Sequence, residues 1–283
     1  MSENNPLSKF YRAPKLFIPL PSRGKFYDDD VMDYPESGEL PIYAMTSKDE
    51  MIMKNPDALL NGEAVAHVIA SCVPCVKQPR KLISNDVDAI LIAIQGATYG
   101  DEVEVKTNCP ECNHFIEATA SVESALDTMT VLQETYKFDT PDGLTIEVRP
   151  FTYESTIRSG ISNFKSTRSM QALSQIEDEL EQLHAFNDSF MQMAALNFSL
   201  IVDSVASLSG KDDEDEDFVV NDRAAIQDYL ENCEGAVGKE IEKQIGEVND
   251  LGVNRKIGLQ CDECEHSFTT DIGFDPVNFF TAS

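Results

Sequence analysis

Tryptophan is absent from this 283-residue sequence, histidine occurs four times, and 22 lysines and arginines face 50 acidic residues, a formal net charge of −28. Each shortage excludes something. Nucleic-acid affinity rests on Lys and Arg neutralising phosphates, so a field of this sign repels a DNA or RNA backbone. No apolar run reaches the roughly 20 residues needed to cross a bilayer. The opening Met1-Ser2-Glu3-Asn4-Asn5-Pro6 lacks the apolar stretch of a secretory signal, and the chain is expected to stay inside the cell that makes it. The nucleotide and hydrolase signatures G-x-x-x-x-G-K-[ST], G-x-G-x-x-G, H-E-x-x-H and G-x-S-x-G are all missing. His67, His114, His184 and His266 are scattered, and no carboxylate pair stands out among so many acids. The expectation is a protein that is not an enzyme.

What the chain does have is cysteine in an ordered pattern. Six of its seven cysteines fall in C-x-x-C pairs, which fits reduced thiols and metal better than a disulfide framework. Cys109-Pro110-Glu111-Cys112 and Cys261-Asp262-Glu263-Cys264 are each flanked by short β-prone runs. A C-x-x-C at the tip of a strand–turn–strand presents two thiolates on one side. Two such tips facing each other supply the four soft tetrahedral ligands of a closed structural zinc site. Cys109, Cys112, Cys261 and Cys264 are therefore the expected ligands of one Zn²⁺ per chain. With all four positions filled by cysteine, none is left for a catalytic water. The plainer alternative is four buried cysteines without metal. The third pair, Cys72-Val73-Pro74-Cys75, sits at an expected helix C-terminus, where the dipole raises a thiol pKa. A second metal there would need further ligands such as His67 and Cys233, so Cys72 and Cys75 read as core or turn residues. His114 and His266 each follow a cysteine turn by two residues and read as surface or supporting groups.

Periodicity gives the fold class: α+β, mostly helical, with short β-hairpins forming a split zinc-ribbon-like clasp around a large helical insertion. Residues 1–27, with prolines at 6, 14, 19 and 21, form an extended arm, ending in a turn and short strand over 21–27 that carries Arg23 and Lys25. Residues 28–120 make an N-terminal helical core with the first cysteine turn. Within it, Thr46-x-x-Asp49 resembles a capping box, and Asn55 caps a helix carrying Leu59, Gly62, Val65, Ile69 and Cys72 on one face. Another helix follows Ser84-Asn85-Asp86 and ends at Tyr99-Gly100.

Residues 121–255 hold an amphipathic segment over 122–136, a strand over 144–148 and a helical insertion. There, Leu173, Ile176, Leu180 and Leu183 space out the seam of a helical hairpin or short coiled coil, with a bend or restart near Asn187-Asp188. The acidic run 211–217 is an exposed loop, followed by helices near 224–233 and 237–248. Residues 256–283 carry the second cysteine turn and an apolar tail.

Several segments taken together carry a family resemblance. They are Phe17-Ile18-Pro19-Leu20-Pro21-Ser22-Arg23-Gly24-Lys25-Phe26-Tyr27, Met45-Thr46-Ser47-Lys48-Asp49-Glu50 and Asn55-Pro56-Asp57-Ala58-Leu59-Leu60-Asn61-Gly62. Cys72-Val73, the stretch from Asp86 through Thr98-Tyr99-Gly100-Asp101, and the Cys109-Pro110-x-Cys112 turn complete the set. In this order they resemble the T4-type bacteriophage baseplate proteins, the hub subunits of contractile-tailed phages. The resemblance covers residues 10–120 and extends to the second cysteine turn; the acidic helical middle has no match residue by residue.

It implies a structural or assembly component of the baseplate hub, without enzymatic activity, whose partners are other hub, spike or tail proteins and which can include copies of itself. It also implies residence in the virion tail, after assembly in the host cytoplasm. Two alternatives stay open: an assembly chaperone that leaves before maturation, and a zinc-ribbon module contacting nucleic acid or polymerase. For the second, the sequence offers only scattered basic clusters such as Lys77…Arg80-Lys81 and Arg158…Lys165…Arg168.

Overall fold

The computed structural model describes residues 7, 10–141, 143–173, 179–212 and 214–271. Ile176 and the apolar tail 274–280 lie outside the described residues. In chain order the elements are β1 (Pro14–Ile18), β2 (Leu40–Tyr43), α1 (Ser47–Met53), α2 (Pro56–Leu60), α3 (Glu63–Cys72) and α4 (Ser84–Tyr99). They continue with β3 (Glu102–Asn108), β4 (Phe115–Ser121), α5 (Val122–Asp127), β5 (Tyr136–Asp139), β6 (Thr145–Val148), α6 (Tyr153–Leu173) and α7 (Glu179–Ser204). The last are β7 (Val205–Lys211), β8 (Asp217–Val220), α8 (Arg223–Asn232), α9 (Gly235–Asn249), β9 (Lys256–Gln260) and β10 (Ser267–Asp271). The fold is mixed, with helices and small antiparallel sheets. Two compact units divide the chain: Met1–Pro79 with Asp86–Leu132 and Gly252–Ser283, and Arg80–Asn85 with Gln133–Leu251.

The first unit is built on α4. From Asp86 onward Val87, Ala89, Ile90, Leu91, Ile92, Ala93, Ile94 and Ala97 are all buried, so this stretch is apolar on every side, the mark of a central helix. Each fully buried Ile or Leu there contributes about 2 kcal/mol. Around it α1 starts at Thr46, whose Oγ1 accepts from the Asp49 amide while Asp49 Oδ2 accepts from the Thr46 amide, the expected capping box with Asp in the acidic position. Asn55 caps α2 through Oδ1, with Pro56 at the first helical position. The continuous helix expected from 56 to 72 is broken into α2 and α3, because Gly62 adopts φ +73 between them. Strands β1 and β2 pair antiparallel, so the N-terminal arm docks on its own chain through Ile18, Leu20 and Pro21.

The strand expected within 21–27 is absent, and the segment is a series of turns. A buried carboxylate explains it. Asp86 accepts from the Ser22 amide at 2.9 Å, from the Ser22 hydroxyl and from the Tyr27 hydroxyl at 2.6 Å, which folds the segment back on α4. Gly24, at φ +77, sits where any Cβ would meet the Tyr34 ring.

The second unit holds a four-stranded antiparallel sheet in the order β5-β6-β7-β8. Ile146, Val148, Val205 and Leu208 from the sheet pack with Val202 of α7, Ile226 of α8, and Val237, Ile241, Ile245 and Val248 of α9. The alternation in the sequence marks β6 but not its three neighbours, and the amphipathic segment expected over 122–136 is in fact α5, a loop and the start of β5. β7 was missed because Ala206, Ser207, Ser209 and Gly210 dilute its alternation; pairing with β6 and β8 is what makes it a strand. The acidic run joins β7 to β8 and its described residues are exposed, with Asp212 Oδ1 accepting from the Glu214 and Glu216 amides. Helices α8 and α9 lie where periodicity placed them.

α7 departs from expectation in two ways. It runs unbroken through Asn187-Asp188. Leu180 and Leu183, expected in the seam of the hairpin, are 69% and 61% exposed.

Candidate metal centre

Each cysteine pair sits at the tip of an antiparallel hairpin, the first between β3 and β4 and the second between β9 and β10. The two tips are built alike, atom for atom along the backbone. Cys109 donates its amide to the His114 carbonyl at 2.8 Å and accepts from the Asn113 amide at 2.9 Å. Cys261 donates to the His266 carbonyl at 2.9 Å and accepts from the Glu265 amide at 2.9 Å. Both turns close through a left-handed residue, Asn113 at φ +59 and Glu265 at φ +58. Asn tolerates that conformation; Glu adopts it at a cost of about 1 kcal/mol. His114 and His266 thus serve their turns through backbone carbonyls, and the His266 ring stacks on Phe268 at 6.2 Å.

The tips meet. The Cys109 and Cys264 sulfurs are 3.6 Å apart, as are those of Cys112 and Cys261, and all four Sγ atoms lie within 4.8 Å of one another. A disulfide requires about 2.05 Å, so none is formed. Ligands held about 2.3 Å from a tetrahedral zinc stand about 3.8 Å apart, and the observed spacing fits that geometry. The partners in each close pair are 155 and 149 residues apart in sequence. Thr107 and Thr270 place their hydroxyl oxygens 3.5 Å apart between the two hairpins. Cys109 and Cys261 are buried, Cys112 and Cys264 exposed.

The electrostatics favour a cation. The Cys112 and Glu111 amides point at the Cys109 sulfur and pull its thiol down to about 6. Cys264 is pushed up to about 12: the His266 amide favours its thiolate, but desolvation and the three neighbouring sulfurs outweigh that contact. Cys112 is also raised: the His114 amide and the Cys264 contact favour its thiolate, but desolvation and the Cys261 and Cys109 sulfurs outweigh them. Four sulfurs this close cannot all carry negative charge unless a positive ion stands among them, and a bound divalent metal reverses the preference by deprotonating its thiols. The four residues expected from the sequence are the four brought together, and they can hold a metal ion. Among the described residues no other group of three or more His, Cys, Asp or Glu side chains converges.

The third C-x-x-C is not such a site. Cys72 ends α3, and burial pushes its thiol up to about 11. Burial also raises Cys75. His67 turns to Asp49, with Nε2 at 3.3 Å from Oδ1, and Cys233 directs its thiol at the Leu230 carbonyl.

Two polar clusters escaped sequence reading. One is Asp86 with Ser22 and Tyr27. In the other, Asp49 is buried, accepts from Thr46 and Ser71, and lies 3.5 Å from Arg12 Nη1. Arg12 also donates to the Ala44 and Ser71 carbonyls and lies over the Tyr43 ring, which pins the arm to the body. Arg12 lies with Lys9, Lys15, Arg23 and Lys25 in a proline-rich segment whose single acid is Glu3, and nothing local marks it as the one that meets Asp49.

A family model described as T4 bacteriophage base plate protein matches residues 27–281. No curated protein and no solved structure matches the chain.

Proposed function

This chain belongs to the T4 bacteriophage base plate protein family, and on that premise we propose that it is a zinc-stapled subunit of the central hub of a contractile-phage baseplate. Membership makes it a structural component of the phage tail. The finer reading adds one Zn²⁺ per chain on Cys109, Cys112, Cys261 and Cys264, and contacts with neighbouring hub and spike proteins. It also has the chain joining them in the host cytoplasm and staying in the virion.

The observation that carries the metal reading is the approach of four sulfurs to within 4.8 Å from two segments of the chain that straddle residues 133–251. A metal there acts as a clasp. It ties β3–β4 to β9–β10, so the ends of the inserted segment are fixed without a large core at that point. Structural zinc of this kind contributes on the order of 10 kcal/mol in apparent free energy. A staple suits a subunit that must hold its shape under load while its work is to hold others.

Mass spectrometry of the intact protein and elemental analysis test the metal. One zinc per chain is expected, and Cys112→Ser or Cys261→Ser should release it and lower stability by several kcal/mol. Cys72→Ser should keep it. An unchanged metal content in both of the first two variants would overturn the four-cysteine site. For the hub role, proteomics of purified virions is expected to find the chain among the baseplate proteins; recovery only from infected-cell extracts would favour an assembly chaperone instead.

A further inference from the structure

The structure assigns a self-association surface to α7: we propose that its exposed apolar stripe packs against the same stripe of a second copy of this chain. The stripe comprises Leu180, Leu183, Phe186, Phe190 and Met191, which are between 48% and 69% exposed. At about 100° per residue these five positions fall within an arc of about 140° on one side of the helix. A different side faces the body of the unit. Gln182, Ala185, Ser189, Met193 and Leu196 recur at three- and four-residue spacing, are half-buried, and mark the side that packs on α6. The helix therefore has two contact faces. Along its first three turns the larger, more apolar residues are on the outward one, and an inward seam of Gln, Ala and Ser is the weaker of the two.

A second copy is the occupant that the composition of the stripe fits. Residues 182–202 contain no Lys or Arg and a single acid, Asp188, in a chain with 50 acidic residues; the next acids, Glu179 and Glu181, flank Leu180 at the start of the stripe. By the same helical count Asp188 falls well outside the arc of the stripe. A partner recognised by charge would find nothing there to pair with. A twofold contact needs a patch complementary to itself, which the apolar ridge from Leu183 to Met191, without a charge in its arc, is. The local lack of charge also lets two molecules of net charge −28 meet without bringing their acids together.

The area agrees. Five residues of this size and exposure present on the order of 600 Å² of accessible surface, so a pair buries roughly 1,200 Å², the lower bound for specific interfaces. An interface at that lower bound belongs with the weak, transient ones, so the dimer is expected to dissociate on dilution. The spacing of three and four between Leu180, Leu183, Phe186 and Phe190 is that of ridges entering the grooves of another helix.

This surface is independent of the metal. Sedimentation velocity on the full-length, metal-replete protein, from about 1 µM to about 200 µM, is expected to give monomer at the dilute end and dimer at the concentrated end. The double variant Leu183→Glu, Phe190→Glu should stay monomeric throughout with an unchanged circular dichroism spectrum, and Met51→Glu, at an exposed site on α1, should dimerise normally. If the double variant fails to fold, Phe190→Ser alone is expected to weaken dimerisation at least about tenfold, since it removes one of the largest anchors. A wild-type chain that is monomeric at every concentration overturns the proposal, whatever other protein binds the stripe. So does a folded stripe variant that dimerises as well as wild type.

Discussion

Asp86 is the single residue on which the first unit's architecture leans most. It is fully buried and is held by the Ser22 amide and the hydroxyls of Ser22 and Tyr27. Burial outweighs those donors and raises its pKa from the ordinary 3.8 to about 6. The sign of the consequence follows from proton counting. Between about pH 4 and pH 6 the folded chain keeps a proton that the unfolded chain has lost, so this residue's contribution to stability falls as pH rises, by on the order of 3 kcal/mol in all. Asp86→Asn keeps an oxygen for the Ser22 amide and cannot ionise. Urea unfolding of both proteins at pH 4 and pH 7.5 is expected to show the variant gaining on wild type as pH rises; a difference that does not change with pH would mean that Asp86 does not titrate in this window. The same residue shows how little of a buried polar site can be read in advance. Ser22, Tyr27 and Asp86 were each visible, Ser22 in a turn and Asp86 at a helix start, but their meeting spans 64 residues and has no local signature.

The two hairpins and the sheet of the second unit differ in what holds them. Strands β3–β4 and β9–β10 form two-stranded sheets, and isolated two-stranded hairpins are marginal in water. Their residues alternate between exposed and partly covered, with Val103 and Val105 the main apolar contribution of β3. Sheet β5-β6-β7-β8 instead lies on a core of ten buried aliphatic side chains. On the metal reading a chelator should therefore act locally. Hydrogen exchange followed by mass spectrometry is expected to lose protection over 102–121 and 256–271 when zinc is stripped, while 145–148 and 205–208 keep theirs. Equal loss in both regions, or none in the hairpins, would refute the clasp. The turn sequences were legible because C-x-x-C fixes a local geometry. The sheet was not, since its strands are only four to seven residues long. Their pairing partners, rather than their propensities, decide them.

For the molecule as a whole, charge is the dominant global property. With 50 acids and 22 bases the folded state repels itself, and the ion pairs that offset this are mostly exposed, such as Lys77–Asp33 and Lys211–Asp215, each worth well under about 1 kcal/mol. Salt screens like charges over about 10 Å at 0.1 M. The melting temperature is thus expected to rise as sodium chloride is raised from low concentration to about 0.3 M, by differential scanning fluorimetry; a fall would mean that attractive pairs outweigh the net repulsion. The same charge bears on partners. An acidic surface meets other proteins where charge is sparse, and residues 182–202 of α7 are such a place. No described helix is long and apolar enough to cross a membrane.

Sequence by itself determined the four cysteines, the caps at Thr46 and Asn55, the helices α4, α8 and α9, and the family, because each depends on residues within one turn or one motif. Tertiary structure alone decided that Asp86 and Arg12 anchor the N-terminal arm and that β5, β7 and β8 complete a sheet. It also turned the leucine spacing around 180–183 outward. Periodicity shows that a helix has an apolar face, and only packing decides whether that face is spent inside the chain or kept for another molecule. At the cysteine turns the two sources of information meet: spacing fixed how each tip is built, and the fold brought the tips within reach of one ion.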